Sequence, residues 1–298
     1  MMRILVLGSL GHIGRHLVPA LKELVPGAEV FEGDLRPDHR GNFYAVDVRD
    51  ALDLGRMFDD FEPTVVYNLA GMVSRVTCER APAQALAANV TGALNVATLC
   101  RRHGSRLIHI STSEVYGPVE NKMSENGPCE PNNWYGKTKL LGEHAVRYWA
   151  EDYCILRPFM FYHEDEAAQD NRSAMIRFVR DICLGHGFQL HTDTSRSWMH
   201  MDDAVLFMAS LIRHVTLPDT VNVGNPNKQT MLELVRLIGR VAEREPIFDE
   251  ITLPIRMTPH KTPDLELQEL LGFSPQISLE DGVRRVVEEF RRSHSVVS

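Results

Sequence analysis

A chain of 298 residues is too long for one minimal core and too short for two large domains, so one large unit with a smaller appendage is expected. Hydrophobic residues at 44% and charged residues at 24% exclude a disordered or collagen-like chain. The net charge of −8 gives no support to a nucleic-acid partner, which needs a basic face to replace phosphate counterions.

The first apolar stretch, Ile4 to Leu10, is short and already carries the first glycine of a motif. It therefore reads as a buried strand and not as a signal peptide. Leu17, Ala20, Leu21 and Leu24 then follow at helical spacing, giving strand, turn, helix. Val30 and Phe31 open a second strand that ends in Glu32, Gly33 and Asp34. Thr64 to Leu69 and Arg106 to Ile110 are further short apolar runs, each preceded by a helical pattern. Strands alternating with helices imply right-handed crossovers and a parallel sheet.

Tyr153 to Leu156 reads as a sixth strand. Between Phe161 and Ser195 no long strand is expected, and one helix, about Ser173 to Leu184, fits best. Two more helical patterns, about Met231 to Glu243 and Leu279 to Arg292, lie near the end, with a strand at Thr220 to Val223 returning to the sheet. The expectation is a Rossmann-like, doubly wound α/β fold, with residues 1–158 as the dinucleotide-binding domain and 159–298 mainly as a smaller substrate-binding region. No run approaches a membrane span. The five cysteines, Cys78, Cys100, Cys129, Cys154 and Cys183, are odd in number and lack C-x-x-C pairing, which points to reduced thiols in a cytoplasm and not to a disulfide framework or zinc site.

Gly8, Gly11 and Gly14 form G-x-x-G-x-x-G, enclosing His12 and Ile13, directly after the first strand and opening the first helix. Glycine permits the tight turn and close backbone approach to a pyrophosphate, whose charge then sits at the helix N-terminus. Asp34 lies about 20 residues beyond, at the end of the second strand, where a carboxylate can take the adenosine ribose hydroxyls. Such an acid favours NAD by repelling a 2′-phosphate, while nearby Arg36 keeps NADP open as the lesser alternative.

Tyr135 and Lys139 stand at i and i+4 in WYGKTK, on one face of a helix continuing through Leu140, Leu141 and Ala145. A lysine charge beside a phenol is expected to lower its pKa and make Tyr135 a general base.

These segments together resemble the extended short-chain dehydrogenases/reductases, the nucleotide-sugar epimerase/dehydratase family, along nearly the full length. Asp47-Val48 resembles the family's adenine contact, and Asn68-Leu69-Ala70-Gly71 its strand-end cofactor loop. Asn89-Val90-Thr91-Gly92 is similar to its structural asparagine motif, Ser111 to Gly117 to its active-site loop, and Arg196 to its phosphate-binding arginine. Val223 to Pro226 and Pro263-Asp264 match more loosely.

The resemblance implies that Tyr135 takes a hydroxyl proton, usually at sugar C4, while hydride passes to NAD, with Thr112 bonded to the same hydroxyl. Thr112-Ser113-Glu114 is similar to decarboxylases of nucleotide-linked uronic acids and to some 4,6-dehydratases. Glu114 is expected to act at C5 or on a carboxylate or water. Lys261 stands where the decarboxylases carry an arginine. The resemblance also implies a homodimer through the helices following Pro82 and Tyr135. A 4-epimerase stays open within the class, and an inactive NAD-sensing regulator outside it.

The departures fall in the substrate half. Met160, His163 and Glu164 replace the family's asparagine, glycine and proline after the sixth strand, and His191-Thr192-Asp193-Thr194 replaces its usual turn before Arg196. Acidic Glu164, Asp165 and Glu166 there make anion binding harder to picture. The histidines, His191, His200 and His260 among them, show no metal spacing, so no metal is expected.

Overall fold

The computed structural model describes residues 1–39, 41–119, 122–166, 173–252 and 258–294. Its strands are β1 (Arg3–Leu7), β2 (Glu29–Asp34), β3 (Phe43–Ala45), β4 (Val65–Asn68), β5 (Arg106–Ile110), β6 (Tyr153–Pro158), β7 (Met160–Tyr162), β8 (Phe188–Leu190), β9 (Ser195–His200), β10 (Thr220–Val223), β11 (Lys228–Thr230) and β12 (Phe248–Glu250). Its helices are α1 (Gly14–Leu24), α2 (Ala51–Phe61), α3 (Arg75–Arg80), α4 (Pro82–Leu86), α5 (Gly92–His103), α6 (Trp134–Trp149), α7 (Ala174–Leu184), α8 (Met201–Ser210), α9 (Met231–Ala242), α10 (Glu266–Leu270) and α11 (Leu279–His294).

Two compact units share the chain. The first holds Met1–Pro118, Ser124–Pro158 and Val205–Val223. Its seven-stranded sheet has the order β10-β6-β5-β4-β1-β2-β3, and every pairing in it is parallel. Strands β1 to β3 run outward one way, and the chain then returns to β4 on the other side of β1. That reversal opens a crevice beyond the carboxyl ends of β1 and β4, where ligands of open α/β sheets bind. The central strands β1 and β4 are nearly continuous apolar runs, buried because both faces of the sheet are covered there. Leu5, Leu7, Val66, Leu107 and Ile155 pack with Leu54, Phe58, Val96 and Cys100 of α2 and α5 into one buried cluster.

Caps start the helices where the sequence supplies them. Asp50 accepts from the amides of Leu52 and Asp53 at the head of α2, and Asn133 accepts from the Gly136 amide at the head of α6. The segment Ala87–Thr91 is a single π turn between α4 and α5.

The second unit holds Val119–Met123, Phe159–Ala204 and Gly224–Ser298. Its three-stranded sheet, β11-β9-β7, pairs β7 with β9 in parallel and β11 with β9 antiparallel, and β8 pairs with β12 separately. Tyr162, Trp198, Val179, Leu234, Ile238 and Val286 belong to its buried cluster, drawn from β7, β9, α7, α9 and α11. The stretch from Phe161 to Ser195, expected to hold one helix, holds α7, the three-residue β8 and the last two residues of β7 besides. Strands that short carry too few alternations to register as a period. Among the described residues no helix is long and apolar enough to cross a membrane, and all five cysteines are free thiols.

Candidate functional site

The turn after β1 is built by backbone proximity. Gly8 has φ +81°, and a Cβ there would lie 2.8 Å from the Ala70 amide nitrogen. A Cβ on Gly14 would stand 2.4 Å from the Gly8 carbonyl oxygen and 2.6 Å from Ser9 Cα. Side chains are thus excluded where the loop after β4, Leu69-Ala70-Gly71, closes on the turn. Helix α1 starts at Gly14 behind Ile13, with no side-chain cap and no acidic residue in its first turn. The hydroxyl of buried Ser9 has no hydrogen-bond partner among the described residues. An uncapped helix start, a cradle that a Cβ would fill and an orphaned hydroxyl together suit a pyrophosphate.

Asp34 closes the other side. Its carboxylate accepts from the Leu10 amide (3.0 Å) and the Arg36 amide (3.1 Å), and Arg36 Nε lies 3.3 Å from Oδ1. Arg36 also donates to the Leu10 carbonyl at 2.5 Å. The guanidinium is thereby engaged by the carboxylate instead of standing ready for a 2′-phosphate, which fits NAD. Asp47 is gripped by Arg49, whose Nε lies 2.9 Å from both carboxylate oxygens, and that bond holds its carboxyl below the usual range. Val48, the other expected adenine contact, is buried, and its carbonyl accepts from Asn95 Nδ2 at 3.0 Å.

The reactive groups gather at the end of β5 and the head of α6. Thr112 is buried, caps the short 3-10 turn Ser113–Val115 by accepting from the Glu114 amide (3.2 Å), and hydrogen-bonds the Tyr135 phenol. Glu114 Oε2 accepts from Asn133 Nδ2 at 2.8 Å, and its charge acts on the Tyr135 phenol. Asn133 thus fixes both the helix that carries Tyr135 and the carboxylate opposite it. Nothing in the local sequence signalled this double role, because the pair is tertiary.

The expected effect of Lys139 on the phenol is corrected. Burial pushes the Tyr135 phenol well above its ordinary value, with the Thr112 hydrogen bond opposing and the Glu114 carboxylate adding. The Lys139 ammonium is directed to the Ile110 carbonyl at 2.5 Å, and burial pulls its pKa down to about 8 against the attraction of Glu143. Helical spacing put the two side chains on one face, but the low-dielectric surroundings outweigh their mutual influence.

Behind this loop lies a polar network the sequence did not disclose. Glu143, one turn beyond Lys139 and fully buried, accepts from Ser111 Oγ (2.5 Å), Arg157 Nε (3.0 Å) and Arg157 Nη2 (2.7 Å). Arg157 also lies 4.8 Å over the Tyr116 ring, whose hydroxyl donates to Asn222 Oδ1 at 2.7 Å. The network ties β5, β6, β10 and α6 together around the residue just before Thr112. Asn89, expected to be structural, is buried and donates to Thr138 Oγ1 (3.0 Å) while bridging both backbone groups of Met72.

In the second unit, Arg196 donates to the carbonyls of Ser195 (2.8 Å) and Pro259 (2.7 Å). Lys261 is buried, and its amide donates to the Ser195 carbonyl at 3.1 Å. These two expected substrate cations therefore share a neighbourhood on β9, where backbone carbonyls orient the guanidinium. Met160 lies on β7, and His163 and Glu164 follow its end beside His200.

Residues 4–224 match the model of the NAD dependent epimerase/dehydratase family. UDP-glucuronic acid decarboxylase 1 of Arabidopsis thaliana is 30% identical, over 97% of this chain and 70% of its own length. A dTDP-glucose 4,6-dehydratase of Mycolicibacterium smegmatis is 26% identical over 99% of this chain and 95% of its own. The UDP-glucose 4-epimerase of Thermus thermophilus, solved in complex with NAD, superposes with a TM-score of 0.83 at 25% identity, covering 97% of this chain and 99% of that one.

Proposed function

The chain belongs to the NAD-dependent epimerase/dehydratase family, and on that footing we propose that it modifies a nucleotide-diphosphate sugar through a 4-keto intermediate which it then decarboxylates or dehydrates. The observation that carries this reading is Glu114, held by Asn133 beside the Thr112–Tyr135 pair. A 4-epimerase needs a free ketone face and room for the intermediate to turn, whereas a carboxylate at this place serves bond cleavage at C5. Decarboxylation stands first, supported by the likeness to the plant UDP-glucuronic acid decarboxylase. Dehydration stands second, supported by the mycobacterial dTDP-glucose 4,6-dehydratase.

Gly8, Gly11, His12, Ile13 and Gly14 would hold the pyrophosphate, Asp34 the ribose, and Asp47 with Val48 the adenine. Leu69, Ala70 and Gly71 would line the inner end, with Tyr135 and Lys139 at the reacting end. Bound NAD supplies acceptance of the C4 hydride and, where the outcome requires it, its return. Tyr135 takes the proton of the C4 hydroxyl while Thr112 Oγ1 orients that oxygen. Burial makes the phenolate costly, so Tyr135 works as a base when Lys139, one turn further along α6, turns its charge from the Ile110 carbonyl toward the phenol.

With C4 a ketone, a C5 carboxylate is a β-keto acid that loses carbon dioxide while Glu114 orients the carboxylate or a water; in the dehydratase form Glu114 removes the acidified C5 hydrogen and the C6 hydroxyl leaves as water. Ser113, buried at the start of the 3-10 turn, would stand with Thr112 and Glu114 in the catalytic loop. Arg196 and Lys261 would meet the diphosphate or the sugar. Residues 1–158 with β10 form the NAD-binding domain in this reading, and the remainder mainly serves the sugar.

A homodimer through α4 and α6 accompanies this function, supported by exposed Leu86, Leu141 and Tyr148 on those helices. The free thiols favour a cytoplasmic setting.

The test is mass spectrometry of the purified chain with NAD and UDP-glucuronate, UDP-glucose, UDP-GlcNAc, GDP-mannose or dTDP-glucose. Loss of carbon dioxide or of water supports the reading and chooses between its two forms. An unchanged mass with an epimer visible by NMR contradicts it in favour of the 4-epimerase. Bound NAD with no reaction at all points to a regulator.

A further inference from the structure

Between β7 and α8 the second unit assembles a group of side chains that the proposed chemistry does not use. His163 Nε2 lies 3.5 Å from Asp202 Oδ1, and His200 Nδ1 lies 3.5 Å from Asp202 Oδ2. Ligand atoms of His163, His200 and Asp202 all stand within 4.8 Å of one another. Tetrahedral coordination with metal–ligand bonds of about 2.0–2.2 Å needs ligand atoms roughly 3.3–3.5 Å apart, a span that each imidazole nitrogen already keeps to one oxygen of the Asp202 carboxylate, His163 to Oδ1 and His200 to Oδ2.

A second feature points the same way. Each imidazole has its opposite nitrogen on another carboxylate. His200 Nε2 lies 2.9 Å from Glu164 Oε2, and His163 Nδ1 lies 2.7 Å from Asp165 Oδ1, with the Asp165 amide also at 3.1 Å. A neutral imidazole donates from one nitrogen only, and the shorter, charge-assisted contacts to Glu164 and Asp165 claim that proton. The remaining nitrogens then face carboxylate oxygens, His200 Nδ1 that of Asp202 and His163 Nε2 both Asp202 Oδ1 and Glu164 Oε2 at 3.5 Å, an arrangement that a cation between them resolves. Metal-bound histidines are oriented in this way by outer carboxylates that fix tautomer and ring.

The rings are also preset. His200 has a side chain with no exposure and meets Tyr162 edge to face, with centroids 5.3 Å apart. Arg285 holds Asp202 Oδ2 at 3.2 Å, so Oδ1 stays toward His163. Asp202 is 43% exposed, which gives an ion a route in from solvent.

We propose that His163 Nε2, His200 Nδ1 and the Asp202 carboxylate bind one divalent transition metal of the zinc class, with Glu164 and Asp165 as the outer carboxylates. Two imidazoles and one carboxylate suit zinc, cobalt or nickel over magnesium or calcium, which prefer all-oxygen sites. The ion clips the end of β7 to the start of α8, a structural role independent of the sugar chemistry. Sequence spacing could not show it, because His163 follows β7 and His200 ends β9, strands that meet only in the folded sheet.

The test uses the full chain, stripped with chelator and titrated with Zn²⁺ by calorimetry, with Co²⁺ absorption as a second readout. One equivalent per chain, a Co²⁺ spectrum of low-symmetry coordination and a zinc-dependent rise in melting temperature are expected. His163→Gln should weaken Zn²⁺ affinity at least a hundredfold and Asp165→Asn about tenfold, with far-UV circular dichroism and NAD binding unchanged. Because buried His200 is the riskier position to alter, the partly exposed His163 and the outer Asp165 carry the test. Absence of Zn²⁺ binding to the wild-type chain, or equal affinity in His163→Gln, would overturn the proposal, whichever sugar reaction the enzyme performs.

Discussion

The two units handle their charged and polar groups differently. In the first, polar atoms at the strand ends are set by backbone constraint and short hydrogen bonds. Gly8 and Gly14 admit no side chain, Asp34 is held by two amides, and Asn133 anchors Glu114. In the second, the expected substrate cation Arg196 is oriented by carbonyls, and the positions that depart from the family, His163 and Glu164, join a histidine–carboxylate group. Chemistry common to a family is thus carried where geometry is dictated by the sheet, and individuality is carried where short strands leave side chains free to choose partners.

The contrast can be broken most severely at the phenol. Tyr135→Phe keeps the ring and the helix but removes the proton acceptor, so kcat should fall by three to four orders of magnitude, roughly 10³–10⁴, while NAD affinity by fluorescence titration stays within about twofold. A comparable loss of NAD binding would mean that the residue holds cofactor more than it moves a proton.

The buried network comes next. Arg157→Met leaves the Glu143 carboxylate with Ser111 and the half-exposed Arg147, and should destabilise the first unit by about 3–5 kcal/mol in urea unfolding. The double variant with Glu143→Gln should recover part of that loss, since no buried charge then lacks its partner. A purely additive result would show that the pair is not coupled.

Lys139 sharpens the picture through pH. Its folded pKa of about 8 lies below the ordinary 10.5, so between those values the unfolded chain binds more protons and stability rises with pH. Relative to Lys139→Met, the wild type should gain on the order of 3 kcal/mol as pH climbs from about 8 to 10.5. A flat difference across that window would refute the burial of a charged amine.

The smallest effect is expected in the second unit. Arg196→Met should raise KM about tenfold, about 1.4 kcal/mol, and leave kcat nearly unchanged, as for an interaction made equally before and during reaction. An unaltered KM would assign the guanidinium to its carbonyl partners alone.

How far the sequence could be read follows the same division. The glycine turn, Asp34 and the Tyr135–Lys139 spacing were legible because each depends on a local backbone requirement: a positive φ, a strand end or one helical turn. The direction of Lys139 was not, since its partner, the Ile110 carbonyl, comes from another strand. Glu143 with Arg157, and Glu114 with Asn133, are pairs made by tertiary folding and leave no period or spacing behind. Strands β7, β8, β11 and β12 have three residues each, too few to alternate visibly. His163 is legible in the sequence only as a departure from the family's pattern, because its neighbours His200 and Asp202 are brought to it by the parallel pairing of β7 with β9.

The central claim is that Glu114 makes the active-site loop cleave a bond at C5 and not merely invert C4. It is tested most directly by following Glu114→Gln in the mass-spectrometric assay alongside reduced-cofactor absorbance. The account predicts that C4 oxidation continues, so that 4-keto sugar and reduced cofactor accumulate, while release of carbon dioxide or water falls about a hundredfold. Unchanged product release in the variant would contradict it.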